Sequence, residues 1–180
     1  MLDYFDRFAD ARKKIKIPID KVQARDNFNY VVEAMNRAGL EFWLSFGTLL
    51  GAVREHDFIA HDIDTDIGCH IEDMEVVVNV ILNELMEKGF DFVRFSGCLA
   101  TVVRDGAYLD FYWFHPVVNK KTGKKGLCCN DYIVPDDGFV KTYFAGQCVN
   151  IPVKAEVLLE KWYGKDWRVP KKGVIAKHGW

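Results

Sequence analysis

The sequence predicts an α+β fold: a mixed sheet flanked by helices. Two observations carry this. Up to Gly89, helical periodicity alternates with short apolar strand patterns, as in an α/β unit. Beyond Gly89 the chain becomes β-rich and carries hairpin signals at Asp105-Gly106 and around Gly146. A length of 180 residues fits one domain, here residues 1–180, and allows a sizeable core.

The elements follow in order. Tyr4, Phe5 and Phe8 stand at helical spacing and predict a short amphipathic helix over 3–16. Pro18 interrupts it, and Asp20 is placed to cap a second helix over 20–38. Phe28, Val31, Val32 and Met35 form the apolar stripe of that helix, and Gly39 ends it. Leu40 to Ser45 reads as a buried strand and Thr48 to Arg54 as a short helix after a glycine turn. Thr65 to His70 reads as a strand. Residues 73–88 carry a strong helical stripe up to Gly89, with a local conflict in the β-branched run Val76–Val78. Strands are expected at Phe90–Phe95, Ala100–Arg104 and Ala107–Phe114, the last carrying Asp110 and closed by His115-Pro116. Residues 119–126 read as a basic loop, a solvated face or a surface for an anionic acceptor. A hairpin at Phe139–Tyr143 and Gln147–Ile151 precedes a helix over Val153–Trp162, with Gly164 at its end.

The bulk numbers exclude several functions. The net charge of −2 gives no basis for specific nucleic-acid binding. No apolar run approaches the length of a membrane span, and the first residues lack the apolar segment of a signal peptide. The five cysteines show no CxxC pairing, and their odd number predicts reduced thiols in a cytoplasmic protein without structural zinc.

Chemistry concentrates between Phe42 and Cys69. Asp62, Asp64 and Asp66 occupy alternate positions, which on a strand share one face. Crowded carboxylates repel, and a hard divalent cation, Mg2+ or Mn2+, relieves that repulsion and in turn suits phosphate-bearing substrates. A polar loop is the simpler reading of the same pattern. Just upstream, Gly47 and Thr48 open a helix whose backbone N–H groups can approach a phosphate, or Thr48 merely caps that helix. Arg54 can clamp a phosphate or pair with Glu55. His61 is the best pocket candidate among the nearby histidines. Trp43, Tyr112, Trp113 and Trp162 read as core.

The stretch LSFGTLLGAVREHDFIAHDIDTDIG resembles the LicD and fukutin-related phosphotransferases. So does Tyr108-Leu109-Asp110-Phe111-Tyr112, which is similar to the family's third carboxylate strand. Trp162-Tyr163-Gly164-Lys165-Asp166-Trp167 with Pro170 looks like its closing motif. The resemblance covers residues 40–170 and leaves 1–39 as N-terminal helices. It implies the nucleotidyltransferase fold and a metal-dependent enzyme. Such an enzyme moves a phospho-alcohol group, phosphocholine or ribitol phosphate, from a CDP-activated alcohol to a glycan hydroxyl. By the same resemblance Asp64, Asp66 and Asp110 are catalytic, and Asp62, Asp64, Asp66 and Asp110 are metal ligands. The leading pair is Asp62/Asp64 or Asp64/Asp66. Gly47, Thr48 and Arg54 fall on the cofactor side. Ile63 and His61 depart from the family pattern and bear on the pocket wall. The alternatives are a nucleotidyltransferase acting from a nucleoside triphosphate on a small molecule, protein or RNA, and an inactive domain that binds nucleotide or glycan.

Overall fold

The structure, a computed structural model, describes residues 4–15, 17–171 and 176. Its N-terminal segment departs from the expected helix. Phe5–Asp6 forms strand β1, Phe8–Ala11 a single helical turn, α1, and Arg12–Lys14 a 3-10 turn. Residues 3 and 16 of the expected helix lie outside the described residues. The aromatic residues that suggested an amphipathic helix are instead held by tertiary pairing at a sheet edge, which overrides weak local propensity. Asp20 does cap the next helix, α2 (Lys21–Arg37): its carboxylate accepts from the N–H groups of Val22 and Gln23. The stripe Ala24, Phe28, Val31, Val32 and Met35 is buried. Each large apolar side chain so buried contributes about 1.5–3 kcal/mol. Gly39, at φ +69°, turns the chain out of the helix.

Strand β2 (Phe42–Leu44) leads into α3 (Phe46–Arg54) and then β3 (Thr65–His70). The next helix runs from α4 (Met74–Val76) through a π-helical stretch, Val77–Ile81, to α5 (Leu82–Glu87). The β-branched conflict is absorbed there by local widening, which leaves Val77, Val78 and Ile81 all buried.

The remaining strands are β4 (Asp91–Phe95), β5 (Leu99–Arg104), β6 (Ala107–Val118), β7 (Lys125–Cys129), β8 (Tyr132–Pro135), β9 (Phe139–Phe144) and β10 (Gln147–Pro152), followed by α6 (Ala155–Tyr163). The sheet has the order β1-β4-β5-β6-β3-β2-β10-β9, with β7 and β8 added through β6. It is mixed: β3 lies parallel to β6 and β10 parallel to β2, while the other pairs are antiparallel.

Two sequence expectations fail around β6. His115-Pro116 does not close the strand, which continues to Val118. Past Phe114 β6 has left β3 and β5 and pairs only with β7, so Pro116 sits where its missing N–H leaves no ladder partner wanting. The β7–β8 hairpin was unexpected. Its turn is Asn130-Asp131, both at positive φ (47° and 66°), a primed turn without the glycine that usually announces one.

β6 also divides the faces. Leu109, Phe111 and Trp113 join the main core. Tyr108, Asp110 and Tyr112, alternating with them, face the other way. No helix among the described residues is long and apolar enough to cross a membrane. All five cysteines are free.

A close approach on β3 gives a stability prediction. A Cβ on Gly68 would lie 2.3 Å from Trp43 Nε1. Trp43 cannot yield: it is fully buried and stacked on Phe139 at 4.6 Å. Gly68→Ala is expected to lower stability by about 1–3 kcal/mol through overpacking, read as a lower urea midpoint at unchanged slope.

Candidate functional site

The sheet register builds the site. Arg94 on β4 opposes Thr101 on β5, Thr101 opposes Asp110 on β6, and Asp110 opposes Asp66 on β3. Register partners share a face at roughly 4.8 Å per strand, so these four residues form one row across four strands. Asp64, two residues before Asp66, joins the end of the row. Asp64, Asp66 and Asp110 each offer an oxygen within 4.8 Å of the others.

Each carboxylate is held differently. Asp66, 4% exposed, accepts from the Gly47 N–H at 3.1 Å, and its own N–H donates to Thr48 Oγ1 at 2.8 Å. Gly47 and Thr48 thus act on the site through Asp66, at the start of α3. Asp110, 2% exposed, accepts from Thr101 Oγ1 at 2.5 Å and from Arg94 Nη2 at 3.2 Å. Arg94 Nε also donates to Thr101 Oγ1 at 3.0 Å, which ties the pair together. Tyr108 lies beside Asp64, and its hydroxyl favours the charged form of that carboxyl.

The electrostatics follow from crowding. Burial, then the charges of Asp64, Asp62 and Asp110, push Asp66 well above the ordinary carboxylate range. Burial and the charges of Asp62 and Asp110 push Asp64 up to about 7. Burial also raises Asp110, opposed by Thr101 and Arg94. Three clustered oxygen donors with one facing cation fit a hard divalent ion.

Asp62 stands outside this trio. It precedes β3, and its carboxylate lies so close to α3 that a Cβ on Gly47 would meet Asp62 Oδ2 at 2.6 Å. Glycine is required at position 47 by that approach. Arg54 pairs with Glu55 at 2.7 Å and donates from Nη1 to the Trp167 carbonyl at 3.1 Å. It also lines the cavity in front of the carboxylates, as does His61.

That cavity holds about 570 Å³. Its lining is rich in aromatic side chains: Phe46, Tyr112, Tyr132, Tyr163 and Trp167. Phe46 enters α3 at φ +41°, a strained conformation for a residue with a side chain, and its ring stacks on Trp162 at 5.3 Å. Trp43, Trp113 and Trp162 are core, as expected, whereas Tyr112 is half-buried and lines the cavity. Lys120, Lys121, Lys124 and Lys125 are exposed around the β6–β7 turn, at the far end of β6 from Asp110.

Sequence reasoning missed Arg94, Thr101 and Tyr108. For Thr101 a signal existed: it is as far before the Asp105-Gly106 turn as Asp110 is after it.

Known proteins are similar to this chain. The human ribitol-5-phosphate transferase FKTN is 26% identical over 180 residues, covering 94% of this chain and 38% of that protein. The mouse ribitol 5-phosphate transferase FKRP is 44% identical over 50 residues, 28% of this chain and 10% of that protein. The chain therefore spans well under half the length of these relatives. Among solved structures, the antibiotic-resistance factor ANT(2'')-Ia has a TM-score of 0.57 at 13% identity, over 85% of this chain and 77% of that one. The lincosamide antibiotic adenylyltransferase LnuA has a TM-score of 0.50 at 15% identity, over 74% and 83%. Both show the fold. The sequence model of the LicD/FKTN/FKRP nucleotidyltransferase domain matches residues 39–152, which include the whole row from Asp64 to Asp110. The chain belongs to the LicD/FKTN/FKRP nucleotidyltransferase-domain family.

Proposed function

We propose that this domain transfers a phospho-alcohol group from a CDP-activated alcohol to a glycan hydroxyl. The observation that carries this reading is the convergence of Asp64, Asp66 and Asp110 beside an aromatic-walled cavity. Relatives named as ribitol-5-phosphate transferases support the group transferred.

Asp64, Asp66 and Asp110 would hold Mg2+ or Mn2+, whose charge neutralises phosphate oxygens. The chain's own residues do the rest. Gly47 and Thr48 fix Asp66. Arg94 and Thr101 already occupy the carboxylate of Asp110, which favours a ligand role over that of a base taking the acceptor proton. The aromatic wall keeps bulk water from the phosphorus and presents flat surfaces to the donor. The acceptor oxygen attacks the phosphorus bonded to the alcohol. A new P–O bond forms, the bond to CMP breaks, and the hydroxyl proton passes to solvent. Catalysis is then chiefly positioning and charge stabilisation.

The test is a panel of CDP-choline, CDP-ribitol, CDP-glycerol and the four nucleoside triphosphates, each with Mg2+. One CDP-alcohol is expected to raise Tm by about 5–10 °C at saturating concentration, and the shift should vanish with chelator or in Asp64→Ala. CMP release with an acceptor glycan completes the assignment. Pyrophosphate release from a triphosphate would replace this reading with nucleotidyl transfer. No ligand shift at all would point to an inactive binding domain.

A further inference from the structure

We propose that the N-terminal segment, which precedes the family-matched stretch, is a working part of the site, with Phe8 as a positioning residue for the carboxylates. The proposal rests on the reading of Asp64, Asp66 and Asp110 as a divalent-cation site.

The sheet delivers the segment to the site. β1 extends the cross-strand row by one residue, because Asp6 is the register partner of Arg94. The Arg7 N–H donates to the Val93 carbonyl at 2.7 Å, and Arg7 Nη2 to the Phe92 carbonyl at 3.0 Å. The Asp6 carboxylate then accepts from the Phe8 N–H at 2.9 Å, which turns the chain into α1. Phe8 is thereby set over the face of the sheet that carries the carboxylates.

Its ring meets two side chains there. The Arg94 guanidinium carbon lies 4.7 Å from the ring centroid. The Tyr108 ring stands edge-on at 5.0 Å and 69°. Both stand next to carboxylates of the site: Arg94, together with Thr101, binds Asp110, and Tyr108 lies beside Asp64, whose charged form its hydroxyl favours. The packing continues to a third point. Val93, Val103 and Tyr108 form a small core separate from the main one, completed by Phe8, Ala11, Ile15 and Ile63. Ile63 is the residue between Asp62 and Asp64. One short segment therefore closes over the arginine, the tyrosine and the backbone that set the site's geometry.

The physical need is clear from the arginine. Arg94 is a long side chain, 24% exposed, and must present two nitrogens at fixed positions to a buried pair, Thr101 and Asp110. A ring over its flat face restricts its rotamers without competing for its hydrogen bonds. Groups that orient a metal ligand from behind characteristically change metal affinity when removed.

The test measures Mn2+ binding to the full chain by electron paramagnetic resonance. Phe8→Ala is expected to weaken binding roughly tenfold, as loss of an outer support does, while Phe8→Tyr keeps the ring and stays close to wild type. Phe5→Ala is the control. Phe5 belongs to the same segment and packs edge-on against Phe92 at 4.8 Å. It should leave Mn2+ affinity within about twofold, since it supports no ligand holder. Unchanged affinity in Phe8→Ala, or an equal loss in Phe5→Ala, overturns the proposal. If Phe8→Ala does not fold, Phe8→Leu replaces it and should show the same loss. Wild-type protein that binds no Mn2+ sinks the cation-site reading. The proposal can be judged separately, by hydrogen exchange of the Arg94 Nε–H in metal-free protein. Faster exchange in Phe8→Ala than in Phe5→Ala supports the contact, and equal exchange refutes it.

Discussion

Asp66→Asn is expected to reduce transfer by roughly 10³-fold or more while making the metal-free protein harder to unfold. The two effects share one cause. Asp66 is buried beside Asp64, Asp62 and Asp110, and all of them raise the cost of its charge. Asparagine keeps the shape and an oxygen for the Gly47 N–H, but removes that charge. The unfolded chain gains nothing comparable, so the folded state is stabilised by about 1–2 kcal/mol. Stability obtained at the expense of activity marks a site whose charges serve a ligand rather than the fold. Asp110→Asn should gain less. Burial raises its carboxyl too, but Arg94 and Thr101 oppose that shift, and the substitution leaves the guanidinium facing a neutral amide. Thermal unfolding of both variants in EDTA decides the matter. A destabilised Asp66→Asn would mean that its charge is needed structurally and would weaken the cation-site reading.

The legible parts of the chain were those whose signal is local. Asp20 before an apolar stripe, Gly39 after it, and Asp105-Gly106 between a β-branched run and an aromatic one each specify an element within a few residues, and each element stands where expected. The carboxylates were legible for the same reason: Asp64 and Asp66 sit two apart, and Asp110 lies in a recognisable strand. What is set by distant pairing was not legible. β1 exists because an edge of β4 is free to receive it, and nothing in residues 4–15 announces that edge. Arg94 reaches Asp110 across two strand pairings, one of which shifts register between Phe92 and Arg94. A bulge of that kind cannot be read from alternation, since it breaks it. Asp62 shows the converse. Its spacing placed it with its neighbours, but it and Asp64 both precede β3, and the oxygens that lie within 4.8 Å of one another include that of Asp64 and not that of Asp62.

Mg2+ is expected to stabilise the protein at pH 8 and to do little at pH 5. In the metal-free fold, Asp64 is raised from the model-peptide value of 3.8 to about 7 by burial and by the charges of Asp62 and Asp110. A carboxyl with a folded pKa above its unfolded one binds its proton more tightly when folded. Its contribution to stability is therefore complete below about pH 4 and is lost as pH rises through about 7. Asp66 and Asp110 shift in the same direction. Asp57 runs the other way, because Lys21, the Phe58 N–H and Arg25 outweigh its burial. Its contribution is lost only as pH falls through the acid range, outside this window. Between pH 5 and 8 the carboxylates facing Arg94 and Tyr108 dominate, and metal-free Tm should fall by on the order of 5–10 °C. A divalent ion binds the deprotonated ligands and offsets that loss, so its own stabilising effect grows with pH. The measurement is Tm with EDTA and with Mg2+ at pH 5 and pH 8. The expected difference is near zero at the first and about 5–10 °C at the second. Equal stabilisation at both values would show that Mg2+ binds somewhere other than these carboxylates, and a larger effect at pH 5 would contradict their raised affinity for protons.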